Sequence, residues 1–512
     1  MADPTLRTPL SVTGQVPVVP TPPAPEPIQQ PQQETVVVPT GQIPPASQFI
    51  PTVPGNGGFV VPQTTAPTVP RRGTSCIGRI MRILVVFIVL GALGALGWFG
   101  YTYFAGNRQV TITYWGLWEN EATMRMILDD FEREHPNIKV EYFKQSPKQY
   151  RERLAAAIER GDGPDVFRFH NTWVPMLVNQ LAPVPGAVMS PENFISTFYP
   201  VAKNDLIAGG STIYGLPIMI DGLGLYVNED LFAAAGASPP TSWEDIIKTG
   251  GLVEKLTVRE GETIVTSAIS LGTSTNVEHF SDILAVMMMQ NGAKLTDPTS
   301  EEAEGTLLFY RRFADPNDPL FTWSQSFDSS VPAFANGRVA MILAPSWRAF
   351  DIKQINPSLN FKIVPIPQLS GNTVNYASYW VEGVSVESKL QPQAWEFVKY
   401  LTGKEAATKL YAEAAKTRLF GEPYALVEMG KLVENDPFVG AYIKQAPMAR
   451  SFPLASRTGD NGINDKLIKY LEDAVTSVNS GSSPKDALKT YASGMQQVFS
   501  QYGLSVSSVP AN

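Results

Sequence analysis

Apolar and polar positions along the chain follow an order typical of an α/β protein. Residues 110–115 alternate as a strand does, and residues 138–142 repeat the alternation. Between them, apolar side chains three and four positions apart predict a helix that Asn120 caps. A second helix, ended by Gly161, precedes a short third strand at 165–170. This β-α-β-α-β order predicts a parallel sheet with crossover helices.

The same alternation of strands and helices continues to the end of the chain. Thr241 to Glu244 has the sequence of a capping box at the start of a helix. Further strands are predicted at 339–344, 361–366 and 381–386, and further helices at 279–291, 301–313 and 393–415, the last broken near Gly403. Two more helices are predicted at the C-terminal end, the second beginning at Ser483-Pro484.

One uncharged run interrupts this pattern near the N-terminal side. Residues 83–104 read ILVVFIVLGALGALGWFGYTYF, and 22 helical residues reach about 33 Å, enough for a bilayer core of about 30 Å. Arginines flank the run unequally, with Arg71, Arg72, Arg79 and Arg82 before it and Arg108 after it. The sequence therefore predicts a transmembrane helix within 76–107, a cytoplasmic N-terminus and an extracytoplasmic C-terminal part. A cleaved signal peptide and a lipid anchor at Cys76 are the alternatives.

Residues 1–75 have a different composition. Residues 1–70 hold 17 of the 43 prolines and only four charged side chains. Such a segment cannot bury a core, so we predict a disordered cytoplasmic tail. A docking site for a cytoplasmic partner is the alternative.

The charge balance of the remaining chain excludes several classes of partner. The whole protein has 512 residues and a net charge of −8. Six basic and three acidic residues precede 109, which leaves residues 109–512 with a net charge of −11. This argues against a nucleic-acid partner or broad contact with anionic lipid. With one cysteine and three widely separated histidines, we predict neither a metal centre nor another cofactor.

No motif for phosphate binding, zinc proteolysis or nucleophilic hydrolysis is present. Glu119, Asp221 and Glu382 stand near the ends of predicted strands. Because a glycosidase needs two carboxylates about 5–9.5 Å apart, an anchored extracellular glycoside hydrolase stays open as an alternative.

Several ordered motifs together resemble a known family. They are Gly161-Asp-Gly-Pro-Asp-Val166, Tyr214-Gly-Leu-Pro217 followed by Leu225-Tyr-Val-Asn-Glu-Asp-Leu231, Pro240-Thr-Ser-Trp-Glu244, and Phe334-Ala-Asn-Gly-Arg-Val-Ala-Met341 continuing to Trp347. This series resembles bacterial family 1 extracellular solute-binding proteins, of which the maltodextrin-binding proteins are familiar members.

The resemblance implies a two-lobed binding protein of the periplasmic-binding-protein type II, or Venus-flytrap, fold without catalytic activity. Lobe 1 would comprise about 108–218 and 364–416, and lobe 2 about 221–363 and 418–505. Such a protein captures a sugar or related solute for the permease of an ABC-type importer. A ligand-sensing extracellular module of a signalling system is the alternative.

The expected ligand site combines aromatic and polar side chains. Ligands bind beyond the carboxyl ends of strands in such sheets, and sugars offer hydroxyls and flat C–H faces to carboxylates and aromatic rings. Strand ends supply Trp118, Glu119, His170 and Trp173 as candidates. The resemblance adds Asp221 near a crossing between the lobes, and Trp347 with Arg348 in the second lobe. Tyr379 and Trp380 stand where relatives have small residues, so we expect them to shorten the cleft.

Overall fold

The computed structural model describes residues 76–106, 109–506 and 509. The predicted disordered tail, residues 1–75, lies outside this range. In chain order the helices are α1 Cys76–Gly106, α2 Glu121–Glu134, α3 Tyr150–Arg160, α4 Val174–Leu177, α5 Pro191–Thr197, α6 Pro200–Leu206, α7 Glu229–Ala234, α8 Trp243–Ile247, α9 Leu252–Leu256, α10 Phe280–Gln290, α11 Glu301–Arg312, α12 Ser330–Ala335, α13 Arg348–Ile355, α14 Gln391–Leu401, α15 Lys404–Thr417, α16 Val427–Gly430, α17 Gly440–Gln445, α18 Ile463–Asn479 and α19 Pro484–Gln501. The strands are β1 Val110–Gly116, β2 Ile138–Lys144, β3 Val166–His170, β4 Ile207–Ala208, β5 Thr212–Ile213, β6 Leu216–Pro217, β7 Gly224–Asn228, β8 Val258–Glu260, β9 Thr263–Ile269, β10 Val339–Ala344, β11 Phe361–Val364, β12 Asn375–Tyr376, β13 Trp380–Val384 and β14 Ala449–Arg450.

Helix α1 contains the predicted transmembrane segment, residues 83–104. Among the helices that the structure describes, however, none combines the length and the apolar sequence required to cross a membrane. The predicted span stays a prediction.

The first sheet is built from the predicted β-α-β-α-β segment. Its strands run in the order β2-β1-β3-β13-β6. Strand β1 pairs in parallel with β2 and β3, as the alternation predicts. The predicted helix boundaries are also confirmed, because the side chain of Asn120 caps α2 and Gly161 ends α3 with a φ of 78°. Strand β13 joins from far along the chain and runs antiparallel to β3 and β6.

The second sheet has the order β11-β7-β10-β9-β8. Strand β7 runs antiparallel to β10 and β11, whereas β10 and β9 are parallel. The chain leaves the first sheet after Pro217 and enters the second at Gly224. It leaves the second sheet after Val364 and returns to the first at Trp380. These passages lie close to the boundaries expected between the two lobes, and the lobe ranges themselves stay a prediction.

Several sequence-based boundaries differ from the structure by one or two residues. The capping box of α8 is formed by Ser242 and Asp245, one residue later than predicted. The Ser242 hydroxyl accepts from the Asp245 N–H at 3.2 Å, and the Asp245 carboxylate accepts from the Ser242 N–H at 3.1 Å. Strand β13 begins at Trp380 rather than one residue later, which places Trp380 at the end of a sheet strand.

The segment between the two large sheets passes unusually close to another part of the chain. Gly222 forms a single β-bridge with Ala377. A methyl group added at Gly222 would lie 2.0 Å from the carbonyl oxygen of Tyr376. Only a residue without a side chain fits at this approach.

We therefore expect Gly222→Ala to lower the free energy of unfolding by about 1–3 kcal/mol through overpacking. Gly186→Ala is the matched control, because a methyl group there meets no atom within 4 Å. That control should stay within about 0.5 kcal/mol of the parent protein. Urea denaturation measures both values, and equal values for the two variants would contradict this account of the crossing.

Candidate functional site

A cavity of about 190 Å³ opens beside the crossing segments. It lies where β1 and β3 end and β13 begins, which is the sheet edge where ligands are expected. Its lining residues are Trp118, His170, Met219, Asp221, Trp347, Phe350, Ser378, Trp380, Arg418, Glu422, Ser456, Arg457 and Thr458. Five of the nine sequence-predicted site residues are among them: Trp118, His170, Asp221, Trp347 and Trp380.

Trp380 is the centre of an aromatic cluster on the first-sheet side. It begins β13, directly opposite His170 at the end of β3. Its ring centroid lies 5.3 Å from that of Trp118, 5.1 Å from that of His170 and 5.5 Å from that of Trp173, all in edge-to-face contact. Such contacts restrict the orientation of the indole ring. The first sheet therefore presents a fixed aromatic surface to the cavity.

The second sheet contributes Trp347, which follows β10 after a Pro345-Ser346 turn. The Arg348 guanidinium lies 4.2 Å from the centroid of the Trp347 ring. Arg348 is itself held by Asp351 at 2.7 Å, by Glu278, and by His279 at 2.9 Å. Arg348 thus supports the Trp347 ring and does not line the cavity.

His170 is a neutral hydrogen-bonding residue in this site. Its ring nitrogens contact the hydroxyl oxygens of Thr172 at 2.8 Å and Ser378 at 3.0 Å. Burial lowers the pKa of the His170 imidazole to about 3. At neutral pH the ring therefore carries no charge and orients the Ser378 hydroxyl at the cavity wall.

Asp221 connects the crossing segment to the loop that carries Trp347. Its carboxylate accepts from the Gly222 N–H at 2.8 Å, from the Ser346 hydroxyl at 2.8 Å and from the Ser346 N–H at 3.2 Å. Burial raises the pKa of Asp221 to about 7, although these hydrogen bonds act in the opposite direction. Asp221 both lines the cavity and fixes the local backbone.

The other charged groups of the cavity are paired. Arg418 donates to Glu422 at 2.5 Å and lies 5.0 Å from the centroid of the Phe350 ring. Arg457 donates to Glu278 at 3.3 Å. The cavity therefore offers no strong excess of either charge to a ligand.

Four predicted site residues do not line the cavity. Glu119 points instead into an ion pair with Arg168 at 2.6 Å. Tyr379 is fully buried, and its hydroxyl donates to Asp205 at 2.7 Å. The other two, Trp173 and Arg348, stand behind Trp380 and Trp347 as described above.

Several lining residues were not among the sequence-based candidates. Met219 and Arg418 lie near the expected boundaries between the lobes, at 218–221 and 416–418, but no site role was predicted for them. Ser456, Arg457 and Thr458 belong to a loop between β14 and α18 without helix or strand periodicity. Only the folded chain brings that loop to the cavity.

The chain forms two mixed β-sheets with flanking helices, and the segments that cross between these sheets border an aromatic cavity. This architecture defines a protein of the periplasmic-binding-protein fold. Residues 116–408, more than half of the chain, match the family of bacterial extracellular solute-binding proteins, and the chain belongs to that family. The family membership inferred from the motifs is thereby confirmed.

The relatives include two proteins named for sugars. The multiple sugar-binding protein of Streptococcus mutans is 26% identical over 332 residues, covering 59% of this chain and 73% of the relative. The maltotriose-binding protein of Pyrococcus abyssi is 19% identical over 351 residues, covering 66% of this chain and 72% of the relative.

Solved structures of low identity support the fold. The sugar-binding protein of Xanthomonas citri has a TM-score of 0.62 at 19% identity, covering 77% of this chain and 98% of that protein. A solute-binding protein of Thermotoga lettingae bound with α-D-tagatose has a TM-score of 0.57 at 22% identity, covering 76% of this chain and 99% of that protein.

The raised pKa of Asp221 predicts a specific pH dependence of stability. Folding favours the protonated carboxyl, because the pKa rises from an ordinary value of 3.8 to about 7. This contribution is complete below the unfolded pKa and is lost as the pH rises through about 7. Between pH 8 and pH 5, the wild-type protein should gain about 2–3 kcal/mol of stability relative to Asp221→Asn. Chemical denaturation of both proteins across this range measures the difference, and a constant difference would refute the prediction.

Proposed function

We propose that this protein captures a small neutral sugar outside the cytoplasm and delivers it to the permease of an ABC-type importer. The observation that carries the proposal is the cavity with indole rings from both large sheets and with its charges already paired. Aromatic rings bury the C–H faces of a sugar, and hydroxyls such as that of Ser378 exchange hydrogen bonds with sugar hydroxyls.

The size of the cavity favours one or two sugar rings. Its volume of about 190 Å³ is below the roughly 300–1,000 Å³ typical of pockets for drug-sized ligands. Trp380 occupies space on the first-sheet side, in keeping with the shortened cleft expected from the sequence. Relatives named for multiple sugars and maltotriose, and a structural neighbour bound with tagatose, are consistent with a carbohydrate ligand.

Binding without catalysis is the chemistry that the cavity favours. The two carboxylates that line it, Asp221 and Glu422, are both engaged by protein donors. A glycosidase needs one carboxyl group to protonate the leaving oxygen and another to act as a base or nucleophile. We therefore propose a transport protein. Turnover of a chromogenic glycoside by the purified protein would contradict this proposal.

Direct titration with sugars tests the proposal. Isothermal calorimetry with D-tagatose, mannobiose and maltotriose should detect binding of at least one sugar, and a mixture of amino acids should give no heat. At 100 times its Kd a sugar should stabilise the protein by about 2.7 kcal/mol. Failure of these and other mono- and disaccharides, with clear binding of a different solute class, would contradict the proposal.

Replacement of Trp347 should weaken binding of that sugar about tenfold to a hundredfold, since a buried aromatic contact contributes about 1.5–3 kcal/mol. The measurement is calorimetric titration of Trp347→Ala. Phe143→Ala is the matched control, because Phe143 is an exposed aromatic residue that does not line the cavity. Equal affinities for the two variants would place the sugar elsewhere.

We also infer, from the sequence alone, that residues 83–104 anchor the protein in the cell membrane with the tail in the cytoplasm. The uncharged run and the four preceding arginines support this inference. After alkaline carbonate extraction, the full-length protein should stay in the membrane fraction, and a variant lacking 83–104 should not. Release of both proteins would contradict the anchor without affecting the sugar-binding proposal.

A further inference from the structure

A buried ionic cluster lies directly beneath the aromatic surface of the first sheet. The guanidinium of Arg168 donates through Nε to Glu382 at 2.7 Å and through Nη1 to Glu119 at 2.6 Å. Its third nitrogen donates to the Tyr114 hydroxyl at 3.0 Å, and that hydroxyl donates to Glu382 at 2.8 Å. Arg168 and Glu382 are completely buried.

Each charged member of this cluster is close in sequence to a ring at the cavity. Glu119 directly follows Trp118, and Arg168 precedes His170 by two residues on β3. In the antiparallel pair of β3 and β13, His170 lies opposite Trp380, and Arg168 lies opposite Glu382. Because side chains two residues apart share a face of a strand, the ionic pair forms the layer immediately below the aromatic pair.

Burial of this ionic cluster has a desolvation cost that apolar core packing would not have. Burial raises the pKa of Glu382, although Arg168 acts to lower it. One Glu382 oxygen, Oε2, has no hydrogen-bond partner in the part of the chain that the structure describes. Apolar side chains of similar volume at such positions are often neutral or stabilising by comparison. Apolar packing, however, cannot provide directional links between separate segments. The guanidinium group of Arg168 provides them, because it binds Glu119, Glu382 and Tyr114 at the same time.

We propose that Arg168 is a positioning residue of the solute site, which sets the distance between Trp118 and Trp380 by holding Glu119 and Glu382. The two indole rings then stand at their 5.3 Å spacing before a solute arrives. A preorganised pair avoids the cost of ordering side chains on binding. The effect on affinity rests on the proposed sugar-binding function, whereas the effect on ring geometry does not.

Arg168→Lys tests the proposal in the purified full-length protein. Lysine keeps the positive charge, but its single ammonium group cannot reproduce the fork that joins both carboxylates and Tyr114. The near-ultraviolet circular dichroism of the indole rings should weaken in the absence of any sugar. The affinity for the sugar among D-tagatose, mannobiose and maltotriose that binds the wild type most tightly should fall about tenfold or more. Glu382→Gln exchanges a charged acceptor of Arg168 for a neutral one, so it should lower the affinity in the same direction, to a smaller extent.

Gln290→Ala is the control for a purely structural effect. Gln290 is a buried hub that accepts from the Trp243 indole and donates to backbone oxygens, and none of its hydrogen-bond partners lines the cavity. Its loss should lower the melting temperature and leave the sugar affinity unchanged.

Glu119→Gln keeps the test decisive if Arg168→Lys does not fold, since it weakens only the link to Trp118. It should reduce the dichroism and the affinity in the same direction, to a smaller extent. The proposal is overturned if Arg168→Lys or Glu119→Gln lowers the melting temperature as Gln290→Ala does while dichroism and affinity stay at wild-type values. If the wild type binds none of these sugars, the sugar proposal fails for that panel, and the dichroism alone decides the role of Arg168.

Discussion

The hydrogen bonds of Asp221 are the constraint on which the cavity depends. The side chain of this residue binds Ser346, the residue before Trp347, and its backbone oxygen accepts from the Ser378 N–H at 3.0 Å, two residues before Trp380. One residue between the two large sheets thus fixes both segments that carry aromatic rings to the cavity. The neighbouring Gly222 allows this close approach, because no side chain separates it from the 376–377 backbone.

This arrangement explains why so many charged groups surround a site suited to a neutral ligand. Arg348, Arg418 and Arg457 each have a carboxylate partner, and their planar groups lie against aromatic rings in two cases, at Trp347 and Phe350. These pairs support the rings and complete the wall. The cavity therefore offers a sugar oriented rings and hydroxyls beside charges that are already paired.

Sequence periodicity and the family motifs were sufficient for strands β1 to β3, for helices α2 and α3 and for the family, but not for the antiparallel pairing of strand β13 within the first sheet. They were also sufficient to bring Trp118 and His170 to the cavity, since strand ends meet at one sheet edge, whereas Trp380 was expected from the family resemblance. They failed for Glu119 and Tyr379 because adjacent residues at a strand end point in different directions, and the sequence does not show which one finds a buried partner. Arg168, hidden within a short strand, and the loop at 456–458 acquire their positions only through contacts between distant segments.

We expect a sugar to lie between the indole rings of the two sheets. A crystal structure of the protein with the sugar that binds most tightly tests this placement. We expect a sugar ring in van der Waals contact, at about 3.5–4 Å, with Trp347 or Trp380, and at least one sugar hydroxyl bound to Ser378 or Asp221. A sugar bound outside the cavity lined by these four residues would contradict it.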